Sequence, residues 1–83
     1  MWEIEYVADY SDSYVIHDND WDRAMERLSR GLANLVDRRL IYSEEFEQAM
    51  EWITGVVVED EDVPVHGTFG VLTVTITLTG DDD

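Results

Sequence analysis

The chain has no cysteine, no lysine, a single proline and no long apolar run. Without cysteine neither a disulfide nor a thiolate metal site can staple the fold, so packing alone must hold it. No stretch approaches the ~20 apolar residues that span a bilayer, and the start Met-Trp-Glu-Ile-Glu lacks the basic segment and apolar core of a signal sequence. A soluble, cytoplasmic protein is therefore expected. The lack of lysine leaves five arginines as the strong bases, and Arg23, Arg27, Arg30, Arg38 and Arg39 all fall between positions 20 and 40.

What the chain has in quantity is acid. Twenty Asp and Glu against five Arg give a net charge of −15. Only Asp20, Asp22, Glu26 and Asp37 share the arginine window, so that window is nearly neutral and the imbalance lies elsewhere. Such a charge repels nucleic acid and anionic membrane surfaces and attracts cationic partners. The 45% apolar content, with three Trp, four Tyr and two Phe, is that of a folded globule rather than a disordered segment. Residues 1–83 suffice for a single domain, which buries ~60% of the surface its unfolded chain exposes.

Residues 2 to 8 alternate, with Trp2, Ile4, Tyr6 and Ala8 on one face and Glu3, Glu5 and Val7 on the other, the pattern of a half-buried strand. The polar run from Asp9 to Ser13 reads as a turn and Tyr14 to His17 as a return strand. From Asp20 the period changes. Trp21, Met25, Leu28, Leu32, Leu35, Val36 and Leu40 recur at steps of three and four, with Asp18, Asn19 or Asp20 available as cap, which predicts an amphipathic helix. Gly31 costs ~1 kcal/mol there relative to Ala; one continuous helix is expected, with a kink or split as the alternative.

Ser43-Glu44-Glu45-Phe46 reads as a second helix start, with a capping hydroxyl and two carboxylates in the positive first turn. Phe46, Ala49, Met50 and Ile53 share its inner face, and Gly55 stops it, for a span of about 43 to 54. Val56-Val57-Val58 is strand-like, and Pro64 with Gly67 limits the segment after the acidic run to an edge strand or an irregular connection. The last strand is the clearest: Leu72, Val74, Ile76 and Leu78 point one way, Thr73, Thr75, Thr77 and Thr79 the other. The order β-β-α-α-β-β predicts an α+β two-layer domain, an antiparallel sheet of about four strands with two helices packed on one face. The Thr side, with Glu3 and Glu5, is expected to face water, and 80–83 to form a frayed acidic tail.

His17-Asp18-Asn19-Asp20-Trp21-Asp22 places carboxylates at alternate positions, as a calcium loop does. Counting from Asp18, however, Arg23 stands where an EF-hand needs Gly and Ser29 where it needs Glu, so a capped strand-to-helix connection is expected. His17 and His66 lack the short spacing of a zinc motif, and no metal or other cofactor is expected. There is no nucleophile elbow, phosphate-binding glycine loop or cysteine nucleophile, and enzymatic activity is not expected. The arginines interleave with Asp22, Glu26 and Asp37, which reads as surface pairing that anchors the acidic fold rather than as a basic binding face.

The unbalanced acids fall in three segments: Glu44, Glu47 and Glu51 on the outer side of the second helix, Glu59, Asp60, Glu61 and Asp62 in the turn, and Glu3 and Glu5 on the first strand. An 83-residue globule is roughly 30 Å across, about one turn of duplex, which carries on the order of 20 phosphates. In size, charge and α+β class the chain resembles the small acidic DNA-mimic proteins of phages and mobile elements, among them anti-CRISPR, anti-restriction and uracil-glycosylase inhibitors. Those families share no sequence motif, so no residue is carried over. The resemblance implies a non-enzymatic inhibitor whose carboxylates replace phosphates in the cationic groove of a host defence or DNA-processing protein. The partner would be a basic, nucleic-acid-binding protein, the three acidic segments the contacts, and nucleic acid itself would not bind. The alternative is a small halophile-type domain, acidic because a salt-rich solvent requires it, with an ordinary protein–protein role; zero lysine fits that reading.

Overall fold

A computed structural model of the chain describes residues 1–9 and 12–79. The expected acidic tail and positions 10 and 11 of the expected 9–13 turn lie outside the described residues. The elements run β1 (Trp2–Ala8), β2 (Tyr14–Asp18), α1 (Trp21–Asp37), α2 (Ser43–Gly55), β3 (Val65–Phe69) and β4 (Leu72–Leu78). The four strands form one antiparallel sheet in the order β2-β1-β4-β3, so the first and last strands of the chain are its centre. This is the predicted α+β architecture. No helix among the described residues is long and apolar enough to cross a membrane.

Period-two alternation decides which side of the sheet is dry. Ile4, Tyr6 and Ala8 on β1, Ile16 on β2, and Leu72, Val74 and Ile76 on β4 are buried beneath Ala24, Leu28, Leu32 and Leu35 of α1 and Ala49 and Ile53 of α2. Leu78, at the end of β4, is only half-buried. The register Glu3↔Thr77, Glu5↔Thr75 and Val7↔Thr73 lines the two central strands up on the side away from the helices. Tilted ring pairs pin each helix to its side of the sheet: Trp2 against Trp21 at 4.4 Å and Trp52 against Phe69 at 5.5 Å between centroids.

Helix α1 runs through Gly31 unbroken, as expected, and the sheet supplies a reason for the glycine. An ideal Cβ there would fall on the Tyr6 hydroxyl, with ring carbon Cζ at 2.7 Å. The Tyr6 ring is buried and stacks on Tyr14 with centroids 5.3 Å apart. Burial, with the neighbouring Tyr14 phenol, pushes the Tyr6 pKa above its usual value, against a smaller opposing pull from Arg27. Helix α1 ends in a Schellman turn: Leu40 N–H donates to the Leu35 carbonyl and Arg39 N–H to that of Val36, both at 2.9 Å. Arg39 occupies the left-handed position of that turn, φ 61°, where glycine is usual.

Two local expectations change. Ser43 is the first helical residue of α2 rather than its cap; Tyr42 is the N-cap, and its N–H donates to Glu45 Oε1 at 2.8 Å. The other Glu45 oxygen accepts Val71 N–H at 3.0 Å, so one carboxylate joins the start of α2 to the β3–β4 turn. That turn is the two-residue connection Gly70-Val71, and Gly70 has the positive φ, 60°, that a type II′ hairpin needs at its first central residue. Val56-Val57-Val58 is not a strand. Val56 leaves α2 with extended dihedrals, but the triplet pairs with none of the four strands, and Val56 and Val58 pack against the core from outside the sheet. The edge strand is β3, which begins just after Pro64 and contains Gly67.

Candidate partner-binding surface

Four of the five arginines, Arg23, Arg27, Arg30 and Arg38, are engaged within the fold. Asp18, at the end of β2, has a side chain only 7% exposed. Arg23 Nε donates to both of its oxygens at 3.0 and 2.9 Å and the Arg23 terminal Nη2 to Oδ1 at 2.9 Å. Asp20 N–H donates to Oδ1 at 2.9 Å, and Arg27 stands 3.6 Å from Oδ2 while donating to the His17 carbonyl at 3.0 Å. The Arg23 hydrogen bonds, then that of Asp20, hold the Asp18 pKa at about 2. Asp20 caps α1 by accepting from Asp22 and Arg23 N–H. The alternating carboxylates that resemble a calcium loop therefore build a cap and an ion-pair hub.

That hub corrects the expected pairing of Arg23 and Arg27 with Asp22 and Glu26. Both reach back to β2, because Asp18 precedes α1 by less than a turn of chain and its carboxylate is fixed by the cap. Arg30 does pair with Glu26, at 2.8 Å across one helical turn, and Arg38 donates to the Tyr14 hydroxyl at 3.2 Å. Sequence reading missed Asp18 as a partner since the pair crosses from strand to helix.

The acids of α2 have no such partners. Glu44, Glu47 and Glu51 are exposed, the last turn of the helix carries no base, and among the described residues none of the three is in an ion pair. Their positions are spaced about 4.5 and 6 Å along the axis, against one phosphate per ~3.4 Å along a nucleic-acid strand. Glu45 is excluded from this row, since both its oxygens accept backbone N–H groups.

The turn Glu59 to Asp62 is exposed throughout and lies at the end of the sheet toward which α2 runs. Asp62 N–H donates to the Leu78 carbonyl at 2.8 Å, and Asp62 adopts the left-handed φ of 65°. Large apolar side chains bracket these acids: Tyr42 before α2 is 75% exposed, and Val57 and Val63 flanking the turn are 69% and 51% exposed. Most of the large exposed apolar side chains among the described residues thus belong to the stretch that carries the uncompensated acids.

Glu3 and Glu5 stand apart. They project from the opposite side of the sheet, in register with Thr77 and Thr75, so they cannot share one flat contact surface with the α2 row. Glu3 Oε1 lies 3.3 Å from His17 Nε2 across the β1–β2 pair. His66 lies on the same side, 3.0 Å from the Thr75 hydroxyl, but belongs to β3 at the other edge. Three strand spacings separate the two histidines, about 14 Å, too far to share an ion. No group of three or more His, Asp or Glu among the described residues is arranged to hold a metal.

Comparison of the chain with protein-family models, with curated proteins and with solved structures finds no match in any of the three.

Proposed function

We propose that the protein is a non-enzymatic binder that occupies the cationic nucleic-acid groove of a partner protein, with α2 and the turn after it as the contact surface. The observation that carries this reading is the stretch from Tyr42 to Val63. It joins Glu44, Glu47, Glu51 and the Glu59 to Asp62 turn, none of them in an ion pair among the described residues, to three exposed apolar side chains. Carboxylates in that arrangement steer the encounter with a basic groove, and the exposed apolar side chains, covered on contact, slow departure. Glu3 and Glu5 fall outside this surface. The inhibitor class suggested by size and charge, a mimic directed at a defence or DNA-processing protein, is the form this activity would take.

The test is capture of basic proteins from a lysate, followed by challenge with duplex DNA. Partners that duplex displaces support groove occupancy, and partners it cannot displace refute it. Reversal of Glu44, Glu47 and Glu51 to Lys should leave circular dichroism unchanged and abolish capture, whereas reversal of Glu3 and Glu5 should leave capture nearly intact.

A second reading, salt adaptation, draws support from the presence of acids on both sides of the sheet. Exposed charges are screened over ~10 Å at 0.1 M salt and ~3 Å at 1 M. A salt-adapted domain would be unfolded in dilute buffer and fold only in molar salt; a groove binder is folded in dilute buffer and loses its partner as salt rises.

A further inference from the structure

We propose that the cleft between the end of α1 and the start of α2 binds a small organic carboxylate with an apolar body. It has a volume of about 440 Å³, within the ~300–1,000 Å³ of small-molecule sites. Val36, Leu40, Ile41 and Val71 form aliphatic walls, and the exposed ring of Tyr42 stands beside them. The polar lining side chains are Arg39 and Ser43.

Arg39 carries the inference. Arg23 and Arg27 converge on Asp18, Arg30 pairs with Glu26 and Arg38 donates to Tyr14, but the Arg39 side chain makes no ion pair or hydrogen bond with another described residue. In a chain of net charge −15, an exposed arginine without a carboxylate of its own, at the rim of a cleft with aliphatic walls, is complementary to an anion that brings hydrocarbon with it. Its planar fork suits a carboxylate bidentately, and the Schellman turn fixes the backbone from which it projects. The Ser43 hydroxyl supplies a second donor. Repulsion from the rest of the surface disfavours polyanions. The Glu45 carboxylate, held by Tyr42 and Val71 N–H at 2.8 and 3.0 Å, borders the cleft on its hairpin side, so the ligand's carboxylate must seat on the Arg39 side with its apolar body between them; acids beyond ~8 Å are screened at physiological ionic strength.

This site does not depend on the groove-binding reading, and either can fail alone. The experiment is titration of the ¹⁵N-labelled protein with N-acetyl-L-phenylalanine and, separately, with its primary amide, which keeps the apolar body and removes the charge. The acid should produce saturable shifts at Val36, at Arg39 to Ser43 and at Val71. The amide should bind about tenfold more weakly, as expected for loss of one charge-assisted pair. Arg39→Gln should lower the affinity for the acid to that for the amide and leave the amide unaffected, with resonances of the sheet unmoved. Equal affinities of acid and amide for the unmodified protein, or the absence of saturable shifts at these residues, would overturn the proposal without recourse to any variant.

Discussion

Replacement of Gly31 by alanine sets local propensity against packing, and the two predict opposite signs. In the interior of α1 alanine should gain ~1 kcal/mol over glycine. The added methyl, however, would land on the Tyr6 hydroxyl, with Cζ at 2.7 Å and Cε2 at 3.3 Å. The ring cannot swing clear: it is 7% exposed and stacked on Tyr14 at an interplanar angle of 22°. Overpacking of this kind costs ~1–3 kcal/mol, and contact with a ring held on its far side belongs at the upper end. The balance is a loss of about 2 kcal/mol, or a melting temperature lower by roughly 8–16 °C for a domain of this size.

Thermal and urea unfolding followed by far-ultraviolet circular dichroism measure that loss directly. Tyr6→Phe supplies the second corner of a double-mutant cycle. It removes the atom that the new methyl meets first but leaves Cζ inside the allowed distance, so the Gly31→Ala penalty should shrink without vanishing. A Gly31→Ala variant as stable as the parent or more so would refute the packing of Tyr6 beneath α1, and with it the side of β1 assigned to the core.

Other consequences follow from the same packing. Ile76→Ala should cost ~2–5 kcal/mol as a core cavity, while Leu78→Ala, at the half-buried end of β4, should cost clearly less in urea melts; equal costs would mean that the end of β4 is enclosed. The Asp18 carboxyl should titrate at about 2 by carbon-detected NMR, and Arg23→Ala should return it toward the usual ~4. Because the folded pKa is lowered, this contribution to stability is complete above the unfolded value and disappears as pH falls through about 2; an unshifted Asp18 would rule out the ion-pair hub. Glu45→Ala removes a charged acceptor from the half-buried Val71 N–H and from the exposed Tyr42 N–H, which water can then serve, and should cost ~2 kcal/mol, with faster amide exchange at Tyr42 and Val71; unchanged exchange would place the join between α2 and the hairpin elsewhere.

How far the sequence could be read depended on whether the deciding contact was local. The Leu72 to Leu78 alternation, the three-four spacing from Trp21 and the turn-rich segments between elements are local signals, and they suffice for the element order and the wet and dry faces. The valine triplet misled because strand propensity measures fit to a half-buried pleated surface, and Val56 and Val58 meet that requirement against the core without a ladder. The β3 strand was obscured by Pro64 and Gly67, although Gly70-Val71 between Phe69 and Leu72 is itself a hairpin signal. Glu45 and Asp18 were beyond local reading. Each is defined by a donor on another element, Val71 on the hairpin and Arg23 on α1. For the candidate surface, the outward position of Glu44, Glu47 and Glu51 was legible from the helical period, but the separation of Glu3 and Glu5 from them required the sheet order.

That separation alters what a charge-based comparison with nucleic acid can mean. The molecule extends 38 × 21 × 19 Å, so opposite faces lie some two Debye lengths apart at the ~8 Å of physiological ionic strength. Charges on the sheet side are attenuated to roughly a tenth before they reach a groove seated on α2. The twenty carboxylates of the chain therefore do not act as one set against the ~20 phosphates of a duplex turn. What one groove meets is the row on α2 and, where the groove extends past the helix end, the Glu59 to Asp62 turn. A row of that kind presents one line of charge, more widely spaced than the phosphates of a strand, rather than the full girth of a duplex. Groove occupancy by this protein thus calls for a partner that grips a single backbone, with apolar ground at the positions of Tyr42, Val57 and Val63.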